Sequence, residues 1–332
     1  MSVTGTNGGA FIPGSLSAVA AATGDFAGLL SLYNNVYYVN PASGSDNNDG
    51  LSQNTALQNV ATAYAMCVSG NNDCVALVGN GATSATWRLS AGFTWEKSAT
   101  HLVGLSSGVN LSNRSRVAPS SGATAFANLF TVSGSGCRFE NVQFFHGFDT
   151  GTTAQICMTV TGGRNLFINS HLAGMGDAAS AQNASSRSLK ISGTGENQFV
   201  DCTIGIDTVT RTTTNASVEF ASATPRNEFH NCVFPFMTSN AGVRGIYAAA
   251  TGSMDRFQLF DRCLFINAVG STSTTMTALT TLGASTGGIL VLKDCTTVGM
   301  TDIFADATTA GQMWIDGAPP VTTTSAIAVN PA

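Results

Sequence analysis

FHNCVF, residues 229–234, is one of a set of related segments: FENVQF (139–144), FINSHL (167–172), FVDCTI (199–204), FHNCVF itself, FDRCLF (260–265) and LKDCTT (292–297). Their first residues, Phe139, Phe167, Phe199, Phe229, Phe260 and Leu292, lie 28, 32, 30, 31 and 32 residues apart. A large apolar residue at fixed register in units of this length marks a solenoid, in which each unit buries its face on the one before. A β-sandwich has no reason to keep a single register through every segment.

The spacing inside the motif says how each unit is bent. Side chains alternate across a strand, so with Phe229 inward His230 points out, Asn231 in and Cys232 out. Phe229 and Cys232 both face a core only if the chain turns at Asn231, and Asn or Asp tolerates the left-handed backbone that a one-residue corner needs. Asn141, Asn169, Asp201, Asn231 and Asp294 hold this position, with Arg262 as the exception. Strand, corner, strand is therefore expected in each unit, in an all-β, right-handed parallel β-helix.

Cys202, Cys232, Cys263 and Cys295 follow the corner at intervals of 30, 31 and 32 residues, the spacing of stacked coils and not of a zinc knuckle. They are expected to be small buried thiols, and Cys67 and Cys74 to be free thiols also. Upstream, CVALVG (74–79), THLVGL (100–105) and NLFTVSG (128–134) read as strands of earlier coils. TALQNVATAYAMC (55–67) places Leu57, Val60, Ala61 and Tyr64 at helical spacing behind Thr55 as N-cap. Such a helix would close the open end of the solenoid. The expected organisation is an arm over 1–35, the β-helix over 36–316 with its cap helix at about 55–67, and a tail over 317–332.

Only 10% of the 332 residues are charged, against roughly 25% in an average domain, and the net charge is -5. No basic field exists to attract nucleic acid. No apolar run reaches the roughly 18–20 residues that span a bilayer, and Met1 to Gly24 lack the basic start of a secretory signal. Synthesis and folding in the cytoplasm are expected, which leaves the N-x-S sequences at Asn110, Asn113, Asn183 and Asn215 as turns.

YYVNPASGSDNNDGLSQNTALQNVATA (37–63) carries Gly44, Ser45, Asp46, Asn48, Asp49, Gly50, Leu51 and Ser52 in a strand, loop and helix order. With the repeated F-x-N-C-x-F element it resembles the pectate-lyase-like β-helix superfamily over roughly 36–300. That resemblance implies a polysaccharide lyase or hydrolase, or a bacteriophage virion protein such as a tailspike or capsid decoration; fold alone does not choose.

Glycoside hydrolysis needs two carboxylates at one bond, and a lyase needs a base with a metal ion or Arg. The outward column after the Phe reads Glu140, Ile168, Val200, His230, Asp261, Lys293, and the next reads Gln143, His171, Thr203, Val233, Leu264, Thr296; neither holds adjacent carboxylates. His230, Asp261 and Lys293 on successive coils are the weak catalytic candidates. Asp46 and Asp49 are weak calcium candidates without the twelve-residue loop spacing or its terminal Glu. GASTG (283–287) matches a nucleophile-elbow pattern, but the following GILVLKDC is a strand where that motif needs a helix.

No metal or cofactor and no enzymatic activity are expected. The favoured reading is a capsid decoration or cement protein on the outside of a phage head, made in the host cytoplasm and binding capsid protein and copies of itself, as a homotrimer. The uncharged termini supply Phe11, Ile12 and Leu16 as partner-binding candidates. A tail fibre, a tailspike or a polysaccharide-degrading enzyme is the alternative.

Overall fold

A computed structural model describes residues 30–79, 85–106, 111–113, 115–123, 125–148, 154–267, 274–283, 286–305 and 312–316. The chain winds through three parallel sheets of ten, eight and eight strands, and neighbours in each sheet come from successive coils. It is a parallel β-helix with little helical content. In the first sheet Leu102, Phe139, Phe167, Phe199, Phe229, Phe260, Leu292 and Ile315 stand in register, one per coil.

Parallel strands lie about 4.8 Å apart, and the phenyl rings inherit that spacing. From Phe167 to Phe260 successive ring centroids are 4.5, 4.7 and 4.4 Å apart, with interplanar angles of 4°, 6° and 2°. These separations exceed the ~3.5–4.0 Å contact distance of carbon atoms, so the parallel rings are slid or tilted into the offset stacking that their quadrupoles prefer. All are fully buried, and each contributes roughly 1.5–3 kcal/mol from lost apolar exposure.

The one-residue corner is present in every repeat. Asn141, Asn169, Asp201, Asn231, Arg262 and Asp294 have φ of 58°, 46°, 53°, 53°, 53° and 50°. Arg262, unusual in side chain, adopts the same backbone; its Nε donates to Asn231 Oδ1 at 2.9 Å and its guanidinium pairs with Asp261 at 3.1 Å. The residue after the corner reaches back to the preceding coil. Cys202, Cys232, Cys263 and Cys295 donate Sγ–H to the carbonyls of Phe167, Phe199, Phe229 and Phe260 at 3.5, 3.4, 3.4 and 3.3 Å. Ser170 does the same to Phe139. The position thus calls for a small side chain with a weak donor. Cys295 is only partly buried, because it belongs to one of the last coils, and all eight cysteines are free thiols.

A second ladder, two residues before each Phe, was not read from the sequence. Asn165 Oδ1 accepts from Cys137 N, Asn197 Oδ1 from Asn165 N, Asn227 Oδ1 from Asn197 N and Gln258 Oε1 from Asn227 N, at 2.8, 3.1, 3.2 and 3.3 Å. All four amides are buried. They satisfy backbone N–H groups where the third sheet turns into the first, groups whose desolvation would otherwise cost free energy.

The cap helix, α1 (Val60–Met66), is shorter than expected and is not capped by Thr55. Its N-cap position is Asn59, which makes no side-chain cap; Asp46 in the preceding loop instead anchors the approach to the helix, accepting from the backbone of Gln58 and Asn59 at 3.0 and 2.9 Å. Val60, Ala63 and Tyr64 are buried, whereas Ala61 faces outward; Leu57 precedes the helix, bridged to Val39. Lys97 Nζ bonds the carbonyls of Tyr64, Ala65 and Cys67 at 2.8, 3.0 and 2.7 Å, placing a cation at the negative end of the helix.

Phe229→Asp is expected to abolish cooperative folding, since it puts an unpaired charge inside the stack; a near wild-type melting midpoint would show that the column is not the core. At the corner, Asn231→Gly should be tolerated. Asn231→Val should cost on the order of 1–2 kcal/mol in denaturant unfolding, because a β-branched residue resists positive φ.

Candidate functional site

The outer face of the first sheet brings the sequence candidates together and adds to them. His230 and Asp261 are paired in register on adjacent strands, as are Asp261 and Lys293. His230 Nδ1 lies 3.2 Å from Asp261 Oδ2, and Lys293 Nζ 3.3 Å from Asp261 Oδ1. The missed member is Glu228: its Oε2 is 3.0 Å from His230 Nε2 and takes a hydrogen bond from Gln198 Nε2 at 3.3 Å. Residues two apart on a strand share a face, so the signal was present in the E-F-H of 228–230. Burial opposes ionisation of Asp261, but hydrogen bonds from His230 and Lys293 and the charge of Arg262 hold its carboxyl below the usual range. Two carboxylates therefore grip one imidazole on an open sheet face, and each ring nitrogen faces a carboxylate oxygen.

Several positions expected to be outward and solvated are covered. Glu140, Ile168, Gln143, His171 and Thr203 are buried. Part of the cover is residues 111–113, which cross the corner between the first and second sheets. Ser112 N donates to His171 Nδ1 at 3.0 Å, and Asn113 Nδ2 donates to Asn141 Oδ1 and Asn169 O. His171 Nε2 lies 2.9 Å from the Gly205 carbonyl. Because Nδ1 accepts, Nε2 carries the proton, and the ring is neutral. The same logic holds at His101, whose Nδ1 accepts from Arg138 N at 3.0 Å while Nε2 faces Asn72 Oδ1 at 2.8 Å.

A third cluster, not anticipated, lies on the outer face of the third sheet. Glu219 is 2.8 Å from Arg187 Nε and 3.5 Å from Lys190 Nζ, and the Arg187 guanidinium stands 5.1 Å from the Tyr247 ring centre. Arg211 is fully buried; its Nη2 donates to Ser217 Oγ at 3.1 Å and its guanidinium lies over Phe236. Burial, reinforced by the charge of Arg187, pushes its pKa down to about 9.

Asp46 accepts from the backbone ahead of the cap helix, and Asp49 Oδ1 accepts from Leu51 N at 3.0 Å, so both are held by local hydrogen bonds. Among the described residues no group of three or more His, Cys, Asp or Glu could hold a metal ion, and no helix is long and apolar enough to cross a membrane. After GASTG the chain does enter a strand, Ile289–Lys293; Ala284 and Ser285 lie outside the described residues, as do Phe11, Ile12 and Leu16.

No protein-family model and no curated protein sequence matches the chain. Solved structures do. A pectin methylesterase variant in complex with a hexasaccharide is similar at TM-score 0.54 and 16% identity, over 82% of this chain and 81% of that one. The pectin methylesterase PemA from Erwinia chrysanthemi gives 0.53 and 14%, over 87% and 91%. The pectate lyase Pel9A gives 0.50 and 14%, over 81% and 70%. The chain thus shares the parallel β-helix fold of these structures. At these identities the likeness speaks to fold alone, and none of these neighbours is a phage protein.

Burial pushes His101, His146 and His171 each down to about 4 from an ordinary 6.5. Between those values the unfolded chain binds protons that the folded chain excludes. Their stabilisation is complete above pH 6.5 and is lost as pH falls toward 4. Unfolding at pH 5 should therefore take up about two to three protons, read from the slope of unfolding free energy against pH. His171→Gln should remove about one of them; a flat profile between pH 6.5 and 4.5 would contradict this assignment.

Proposed function

We propose that the protein is a non-catalytic structural subunit whose rigid β-helix binds the outside of a bacteriophage head and copies of itself, as a homotrimeric decoration or cement protein. The observation that carries the non-catalytic part is the closure of the Glu228–His230–Asp261 cluster. Both ring nitrogens of His230 face carboxylates, and Asp261 is flanked by His230, Arg262 and Lys293. A general base must present a lone pair within reach of the proton it abstracts, and here both imidazole nitrogens are turned to carboxylates of the same sheet. Glu219 is likewise held by Arg187 and Lys190. The virion setting draws its support from the superfamily resemblance and from a surface with few charges, suited to packing against other subunits.

A second reading, a polysaccharide-processing enzyme, is favoured by the comparisons, since the similar structures are a pectin methylesterase bound to a hexasaccharide, PemA and a pectate lyase. It would use Glu228 and Asp261 across His230 once a substrate displaced their internal contacts.

The readings separate in two measurements. The decoration protein should occur in many copies in purified tail-less heads, and should release no oligosaccharide from host capsular or cell-wall polysaccharide. Release that disappears in His230→Ala or Asp261→Ala would establish the enzyme instead, and recovery in tail fractions alone would move the protein to a fibre or spike.

A further inference from the structure

Between the second-sheet strand Thr203–Ile204 and the third-sheet strand Ala216–Ser222, the chain passes through a connection that carries Arg211. The backbone of Arg211 is pinned to the next coil. Its N–H donates to the Met237 carbonyl at 2.8 Å, and its carbonyl accepts from Ser239 N and Thr238 Oγ1, each at 3.0 Å. The side chain is fully buried in the corner between the two sheets. There Nη2 donates to Ser217 Oγ at 3.1 Å, and the guanidinium stands 5.2 Å from the centre of the Phe236 ring. Nε and Nη1 donate to nothing among the described residues.

A guanidinium is the side chain least able to escape burial by giving up its proton. Even pushed down to about 9, the pKa of Arg211 leaves it a cation at neutral pH. A buried ion needs a counter-charge, because its desolvation is among the heaviest penalties in a folded interior. The chain supplies none: among the described residues no carboxylate pairs with Arg211, and the charge that bears on it is the cation of Arg187, itself balanced by Glu219. Lys97 and Arg244 also lack a carboxylate, but their donors are met. Lys97 Nζ has three helix carbonyls, and Arg244 has the carbonyls of Ala241 and Val243 and the hydroxyl of Thr281.

The surroundings of Arg211 suit a small anion. Ser188 Oγ is buried and also has no hydrogen-bond partner among the described residues. It holds the place of Ser217 one coil earlier, since the two serines directly precede the in-register pair Leu189 and Val218. Gly205, at φ 119°, keeps the space beside the guanidinium clear; a Cβ there would stand 3.3 Å from Nη2 and 3.5 Å from Ser217 Oγ. The corner therefore offers N–H and O–H donors around one positive charge. A dianion would leave net negative charge in the interior, and a larger organic acid could not keep its body outside a guanidinium that is wholly enclosed.

We infer that Arg211, with Ser217, holds a small monovalent inorganic anion such as chloride inside the corner between the second and third sheets. Denaturant unfolding of the full chain in mixtures of sodium chloride and sodium gluconate, at constant ionic strength, separates ion binding from screening. One ion released on unfolding predicts that the unfolding constant falls about tenfold for each tenfold rise in chloride above the dissociation constant. Arg211→Met should abolish that dependence, and the milder Ser217→Ala should move it to chloride concentrations about threefold or more higher. Crystals of the wild-type protein grown in sodium bromide should show an anomalous peak at hydrogen-bonding distance from the guanidinium, a readout that does not require any variant to fold. An ordered water without anomalous signal at Arg211 would overturn the assignment. So would unfolding that ignores chloride in the wild type, or a chloride dependence that survives in Arg211→Met.

Discussion

One left-handed residue per coil is the constraint on which the rest depends. With φ near 50° at Asn141, Asn169, Asp201, Asn231, Arg262 and Asp294, the chain leaves the first sheet and joins the second without a loop. Because the corner consumes a single residue, the Phe or Leu292 before it and the Val142, Ser170 or Cys after it keep the same places from coil to coil. Register then follows, and register puts like on like. The phenyl rings meet at the strand spacing, and each thiol reaches the carbonyl of the coil below.

The buried amides at the opposite end of the first-sheet strands complete the frame. Asn165, Asn197, Asn227 and Gln258 satisfy backbone donors from coil to coil, so each first-sheet strand is tied by a left-handed corner at one end and a carboxamide at the other. On such a frame, outward side chains are also repeated at about 4.8 Å intervals. Opposite charges on neighbouring coils therefore fall into contact readily, as Arg164 and Arg226 do on either side of Glu196. Ion pairs of this kind follow from the architecture, so the contacts within the Glu228–His230–Asp261 group are not by themselves a catalytic signal.

What could be read from the residues was what recurs at one position per coil. The Phe and corner columns are such positions, and Arg262 fits by backbone even though its side chain breaks the pattern. The amide ladder was missed although Asn165, Asn197 and Asn227 repeat one letter two residues before each Phe, because Cys137 stands at its start and Gln258 at its end. Glu228 escaped because only the column after the Phe was followed, not the one before it on the same face. The burial of His171 was not legible at all: its cover comes from Ser112, 59 residues upstream, in a segment without periodicity.

The central claim is that ring-on-ring contact between coils, not merely burial of each Phe, holds the register. A double-mutant cycle on Phe199→Leu and Phe229→Leu, followed by denaturant unfolding, measures that contact directly. The account predicts a coupling energy of about 0.5–1.5 kcal/mol between the two positions. Strict additivity would contradict it, leaving the column as a set of independent apolar residues.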